Sequence, residues 1–255
     1  MRINNLRITA VLGALALFLV TAATVPEARA QSPLVNKEAT QTLQRMTDYL
    51  GSLKAFSLHT QNTVEDLLAT GNRVDYSIAA DVIISRPNKL HATRKGDLND
   101  QAFYYDGKAL TLYNSTDKVY ATSPAPGTIE GMFGFAQESL GLIMPISDLV
   151  YRHAYPLLMQ DVELAVVIGK AVVGGVSCDH LLFSRPGVDF QVWVADKGKP
   201  LPYKYVVTDT GSLARLSIST VMSNWNVKPS VKGSLFTFTP PKGAKAISFI
   251  PFKAY

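Results

Sequence analysis

The chain has 255 residues, 18% of them charged, and a formal net charge of +5. With no run of lysines or arginines, that balance excludes an extended nucleic-acid footprint and a strong pull toward anionic lipid. Cys178 is the only cysteine, so no disulfide forms within the chain.

Arg2 and Arg7 precede a mostly apolar stretch from Ile8 to Ala23, and Ala28-Arg29-Ala30 puts small residues at the two positions a signal peptidase reads. This predicts a secretory signal over residues 1–30, cleaved after Ala30. The removed part carries three arginines and one glutamate, which lowers the formal charge from +5 to +3. No cysteine stands near the cleavage site, so the mature protein is expected in the periplasm without a lipid anchor. Residues 31–255 are expected to form a single domain, since a chain of that length buries roughly 70% of its unfolded surface in one core.

From Asn36 the pattern is helical. Leu43, Met46, Leu50 and Leu53 recur at steps of three and four, with polar residues between them. This predicts one amphipathic helix of about five turns, with Gly51-Ser52 weakening its end. The period then changes to two. Phe56 to Leu68 is β-prone, and Thr70-Gly71-Asn72 is a turn. Val74, Tyr76, Ile78, Ala80, Val82 and Ile84 fall on one face of the next strand. After Arg86-Pro87-Asn88, Lys89 to Lys95 resumes the pattern, with Leu90 and Ala92 inward and the basic residues read as outward. Phe103–Tyr105, Ala109–Tyr113 and Val119–Thr122 form a meander. Asp106-Gly107 is a strong hairpin signal, because glycine accepts positive φ.

Thr128 to Met159 breaks the β pattern. Its apolar residues include Met132, Phe133, Phe135 and Ile143, and Gly131, Gly134, Gly141 and Pro145 forbid one long helix. Two or three short helices are predicted, with Thr128 a weak cap and Ser147-Asp148 the cap of a second helix. Strands return from about Val162: Ala165–Val173, Val176–Ser184, Val188–Ala195, Tyr203–Asp209 and Leu213–Trp225, with a last short one at Leu235–Phe238. Such regular spacing predicts an antiparallel sheet that curls.

Several strands carry large apolar groups on both faces. Phe190 and Val192 oppose Trp193, and Val206 opposes Tyr205 and Val207. One helix covers one face, so the second face is assigned to the insert or to a ligand. Methionines suit irregular apolar partners, which points to a cavity.

Motifs for nucleotide, metal or hydrolase chemistry are missing. Cys178 and His180 share a face of a strand about 7 Å apart, too far for direct proton transfer. Glu65-Asp66 and Asp97 with Asp100 read as solvated turn residues. No catalytic residue, metal or cofactor is assigned, and the chain is expected not to be an enzyme.

Three stretches in order, Arg86-Pro87-Asn88, Asp106–Asn114 and Phe236–Gly243, resemble the periplasmic lipoprotein carriers of the LolA-like and LolB-like superfamily. The segment from Gly169 through the strand around Trp193 is more similar to a related bacterial family of predicted periplasmic proteins without assigned function. The resemblance implies an α+β fold. Its mostly antiparallel, strongly curved sheet is an incomplete β-barrel, with one long N-terminal helix and short inserted lid helices. It also implies an apolar or acylated ligand on the concave side and transient contact with a membrane or another envelope protein. The alternative is an interaction module with no cargo. Candidate ligand-binding residues are Tyr76, Ile78, Val82, Ile84 and Tyr105 on strands, and Met132, Phe133, Phe135, Ile143 and Leu149 in the insert. The carrier's arginine before proline, which helps hold its lid shut, corresponds to Arg86.

Overall fold

The structure is a computed structural model and describes residues 34–142 and 144–250. The expected signal segment lies outside the described residues. The chain forms a curved, open sheet of 13 strands with a few helices, an α+β fold. Helix α1, Lys37–Ser52, starts where Asn36 Oδ1 accepts the N–H groups of Glu38 (2.8 Å) and Ala39 (3.1 Å). Its stripe of Leu43, Met46 and Leu50 is buried.

Strands β2 (Ala55–Leu67) and β3 (Arg73–Ser85) pair in unbroken register, from Ala55 with Ser85 to Leu67 with Arg73. The chain continues through β4 (Lys89–Gly96) and the expected meander of β5 (Gln101–Tyr105), β6 (Ala109–Asn114) and β7 (Val119–Pro124). The insert holds α2 (Ile129–Leu140), α3 (Ser147–Val150) and α4 (Ala154–Met159). The second run is β8 (Leu164–Val173), β9 (Val176–Arg185), β10 (Val188–Ala195), β11 (Pro202–Asp209) and β12 (Ser217–Asn226). Strand β12 pairs with β2, which joins the two runs into one sheet.

Both edges are closed by two-residue strands in parallel pairing. Leu34–Val35 (β1) lies beside β8, and Lys245–Ala246 (β13) lies beside β7. These short pieces occupy backbone groups that would otherwise offer an open edge.

The core lies on one face, here the inner face. Leu43, Met46 and Leu50 of α1 join Phe183, Phe190 and Val192 there, and Phe103, Ile129, Met132 and Phe133 belong to the same cluster. Helix α1 and the insert therefore share the inner face, and the insert is not the cover of the second face. A curved sheet encloses more inner surface than one helix spans, so both are used. The outer face is covered differently. Near β4–β7 the C-terminal segment crosses it. Phe236 is buried against β4 and β5, and the Phe238 ring lies 5.2, 5.5 and 5.0 Å from Tyr104, Tyr113 and Tyr120. Farther along, the outward Trp193 is covered by the stacked His180 ring at 3.9 Å and by Lys204 at 4.8 Å.

Three local expectations change. Leu235–Phe238 is not a strand: Gly233–Phe236 is a 3-10 turn that swings Phe238 onto the tyrosines. Thr128 does cap α2, its Oγ1 accepting Gly131 N–H at 3.1 Å, whereas α3 has no side-chain cap because Ser147 is already its first residue. The strand expected from Leu213 begins at Ser217, and Leu213 is exposed.

Candidate functional site: an apolar cavity under the insert

Part of the inner face is not filled. A cavity of about 680 Å³ lies between the sheet and the insert, within the roughly 300–1,000 Å³ usual for small-molecule sites. Alternation along β3 turns Tyr76, Ile78, Ala80, Val82 and Ile84 into one wall. Strand β2 adds Thr60, Asn62 and Val64, β4 adds Leu90, Ala92 and Arg94, and β12 adds Ile218. The facing wall is Phe133 of α2 with Leu142, Met144, Pro145, Ile146 and Val150. Gly141 makes this wall possible. At φ 63° it is left-handed, and its N–H reaches the Ala136 and Gln137 carbonyls, so α2 stops there and the chain turns across the sheet. Pro145 disfavours helical backbone in the residue before it, so α2 does not run on into α3.

Three polar residues on the sheet side satisfy one another. Asn62 Nδ2 donates to Thr60 Oγ1 (3.0 Å) and the Ile78 carbonyl (2.9 Å), and Thr220 Oγ1 donates to Asn62 Oδ1 (2.8 Å). A closed network of this kind is stable inside a core and leaves no orphan group. At one end the cavity wall includes the exposed residues Asp66, Asp97 and Leu98. Carboxylates there bind backbone: Glu65 Oε2 accepts from Ser217 N at 2.8 Å, Asp97 Oδ2 from Ser77 N at 2.7 Å, and Asp209 Oδ1 from Gly211 N at 2.8 Å.

Arg86 sits where the sheet meets the insert. Its side chain is 3% exposed. Nη1 lies 3.5 Å from Glu130 Oε1, and Nη2 donates to the Val150 carbonyl. Glu130 Oε1 also accepts Arg152 N–H at 3.0 Å. One guanidinium thus links the end of β3 to α2 and α3. Burial lowers its pKa and Glu130 partly offsets that.

Of the residues singled out from sequence, Tyr76, Ile78, Val82, Ile84 and Phe133 line the cavity. Tyr105 does not. Its hydroxyl donates to the Pro126 carbonyl and lies 3.1 Å from that of Thr128, which ties the start of the insert to the sheet. Burial, with Asp106 and Glu130 nearby, pushes its pKa up to about 12. Met132 and Leu149 are buried in the core away from the cavity wall, and Phe135 is half-buried and off it. Ile143 lies outside the described residues. Arg94, expected outward with the other basic residues of β4, faces inward, because it is in phase with Leu90 and Ala92. Its period-two position was the signal that places it there.

The thiol and imidazole of β9 each have another partner. Cys178 Sγ donates to the Val176 carbonyl, and His180 Nε2 lies 2.9 Å from Gln191 Oε1. Burial, with Asp196 and Asp179 nearby, pushes the thiol up to about 11, far from a reactive thiolate.

Residues 39–250 match the family described as predicted periplasmic protein (DUF2092). The chain belongs to that family. No curated protein matches it. Among solved structures it is similar to an uncharacterized conserved protein from Thermus thermophilus, with a TM-score of 0.49 and 11% identity, covering 83% of this chain and 99% of the other. LprF from Mycobacterium bovis gives a TM-score of 0.46 and 15% identity over 83% of this chain and 100% of that one. A LolA superfamily protein from Nitrosomonas europaea gives 0.38 and 10% over 78% and 97%. The DUF2092 protein carries its cavity on the face shared by α1 and the insert.

Proposed function

We propose that this DUF2092 protein binds an apolar or acylated small ligand in the cavity between β2–β4 and the insert, as a periplasmic binder or carrier. The observation that carries this reading is the 680 Å³ space itself, walled by Tyr76, Ile78, Val82, Ile84, Phe133 and Ile146. An apolar wall left unfilled forgoes packing that a ligand of matching shape restores. The insert is the movable part. Gly141, Leu142 and residues 144–146 are irregular backbone between α2 and α3, so they swing more readily than a continuous helix. Arg86 is the latch, since both of its contacts end on the insert. A membrane or another envelope protein would deliver or receive the ligand.

The test is native mass spectrometry of protein purified from its own host, followed by solvent extraction. A stoichiometric mass lost on extraction supports the reading, and saturable binding of an environment-sensitive fluorescent fatty acid confirms the site. Protein that carries no extractable mass and binds no acyl probe would instead be an interaction module without cargo.

A further inference from the structure

This inference rests on the binding reading above and concerns the chemistry of the ligand. Among the described residues lining the cavity, Arg94 is the one cation. Its guanidinium carbon lies 5.7 Å from the centroid of Phe103, another wall residue. Among the described residues it has no side-chain hydrogen bond and no carboxylate within ion-pair distance. This sets it apart from Arg86, whose contacts to Glu130 and Val150 use its charge structurally.

The carboxylates near the cavity do not serve Arg94. Glu65, Asp97 and Asp209 hold the backbone N–H groups named above, and Asp66 Oδ1 accepts Leu67 N–H at 2.8 Å. They line the end where the wall is exposed and disfavour an anion left there. Asn62 and Thr60 are satisfied by one another and by Thr220. Among the described residues, Arg94 is therefore the charged group of the wall that still lacks a partner. Burial lowers its pKa with no charged neighbour to offset it, yet an arginine so shifted remains a cation at neutral pH.

A partly buried, unpaired guanidinium beside an apolar wall is matched by a carboxylate or phosphate, which its planar fork binds in two places. We infer that Arg94 receives the anionic head of a chain amphiphile whose apolar tail runs along β4 past Ala92 toward Leu90 and Ile84. That stretch of wall, four residues of strand, is roughly 14 Å long. A fatty acid and a monoalkyl or lysophospholipid phosphate share this chemistry.

The experiment is competition against a fluorescent fatty-acid probe by dodecanoate, dodecyl phosphate and dodecanol, each below its micelle concentration. Wild type should prefer at least one anion over dodecanol by about ten- to a hundred-fold, the range of a charge-assisted bond. The anion that wins identifies the source. Arg94→Met should bring that preference to about one, and Arg94→Lys should keep part of it, with circular dichroism checking the fold of each. A wild type that binds all three equally, or a preference that survives in Arg94→Met, overturns the role of Arg94 and leaves the binding reading standing. A wild type from which no competitor displaces probe, or that binds no probe, overturns both.

Discussion

Beneath α1 the inner face is filled to contact, whereas beneath α2 and residues 144–150 it holds a cavity. Leu43 and Met46 of α1 are fully buried with Ala165, Leu181, Phe183 and Val192, and none of these lines the cavity. Phe183 and Phe190 stack at 4.8 Å in the same region. The hollow region has the same apolar character but smaller groups on its wall, Ala80, Ala92 and Gly96, and a cover interrupted by Gly141 and Pro145. A continuous 16-residue helix presents a regular stripe that interlocks with the strands. A broken cover bridges the sheet without filling it. Hydrophobicity is common to both regions, and regularity of the covering backbone is what separates them.

The largest effect should come from the filled region. Leu43→Ala removes a fully buried side chain from a packed site and is expected to lower the unfolding free energy by about 2–5 kcal/mol, read by urea denaturation. A loss below about 1 kcal/mol would mean that α1 too rests over slack space. Gly51→Ala comes next, because it sets two effects against each other. Alanine favours the helix over glycine by about 1 kcal/mol. Its Cβ, however, would clash with the Arg152 carbonyl oxygen, and backbone cannot rotate aside. Overpacking costs about 1–3 kcal/mol, so a net loss of up to about 2 kcal/mol is expected. A Gly51→Ala protein more stable than wild type would show that α1 and the insert are not held in this close approach.

Arg86→Leu is expected to act locally. It removes the link from β3 to Glu130 and Val150. A loss of about 1–3 kcal/mol follows from one charge-assisted bond. Hydrogen exchange should quicken across residues 129–150 and stay unchanged in α1 and β8–β10. Equal quickening throughout would sink the latch, because it would place the insert in the same cooperative unit as the filled core.

Much of this contrast was legible in the sequence. The 3–4 spacing of Leu43, Met46 and Leu50 gave α1, and strict alternation from Val74 to Ile84 gave the wall strand with its inward residues. Gly141 and Pro145 announced the broken cover. The same alternation extends from Leu90 through Ala92 to Arg94, but the charge of Arg94 argues for solvent and its register for the inner face, and register prevails. The C-terminal segment was illegible for another reason. Phe-Thr-Phe-Thr alternates like a strand, and only contacts with three tyrosines far back in the chain make it a cover for the outer face. Strands β1 and β13, two residues each, are too short for any period, and their parallel partners are distant in sequence.

The smallest expected change in stability, and the most direct test of the contrast, is Ala80→Phe. Ala80 lies on β3 between Ile78 and Val82, and its methyl group faces the cavity. In a filled core, adding a phenyl ring forces neighbours off their rotamers and costs about 1–3 kcal/mol. In an unfilled space the ring displaces no neighbour and buries apolar surface of its own, and phenylalanine suits a strand better than alanine does. The unfolding free energy should therefore stay within about 1 kcal/mol of wild type, because the steric penalty of a packed site is absent. Binding of the fluorescent fatty acid should fall by about tenfold or more, the equivalent of about 1.4 kcal/mol, as the ring occupies space the acyl chain needs. The two measurements separate the possibilities. A large loss of stability would mean that the region is as filled as the one beneath α1. Unchanged stability with unchanged binding would place the acyl chain elsewhere on the molecule. Only unchanged stability with lost binding matches a space that the fold leaves open for a ligand.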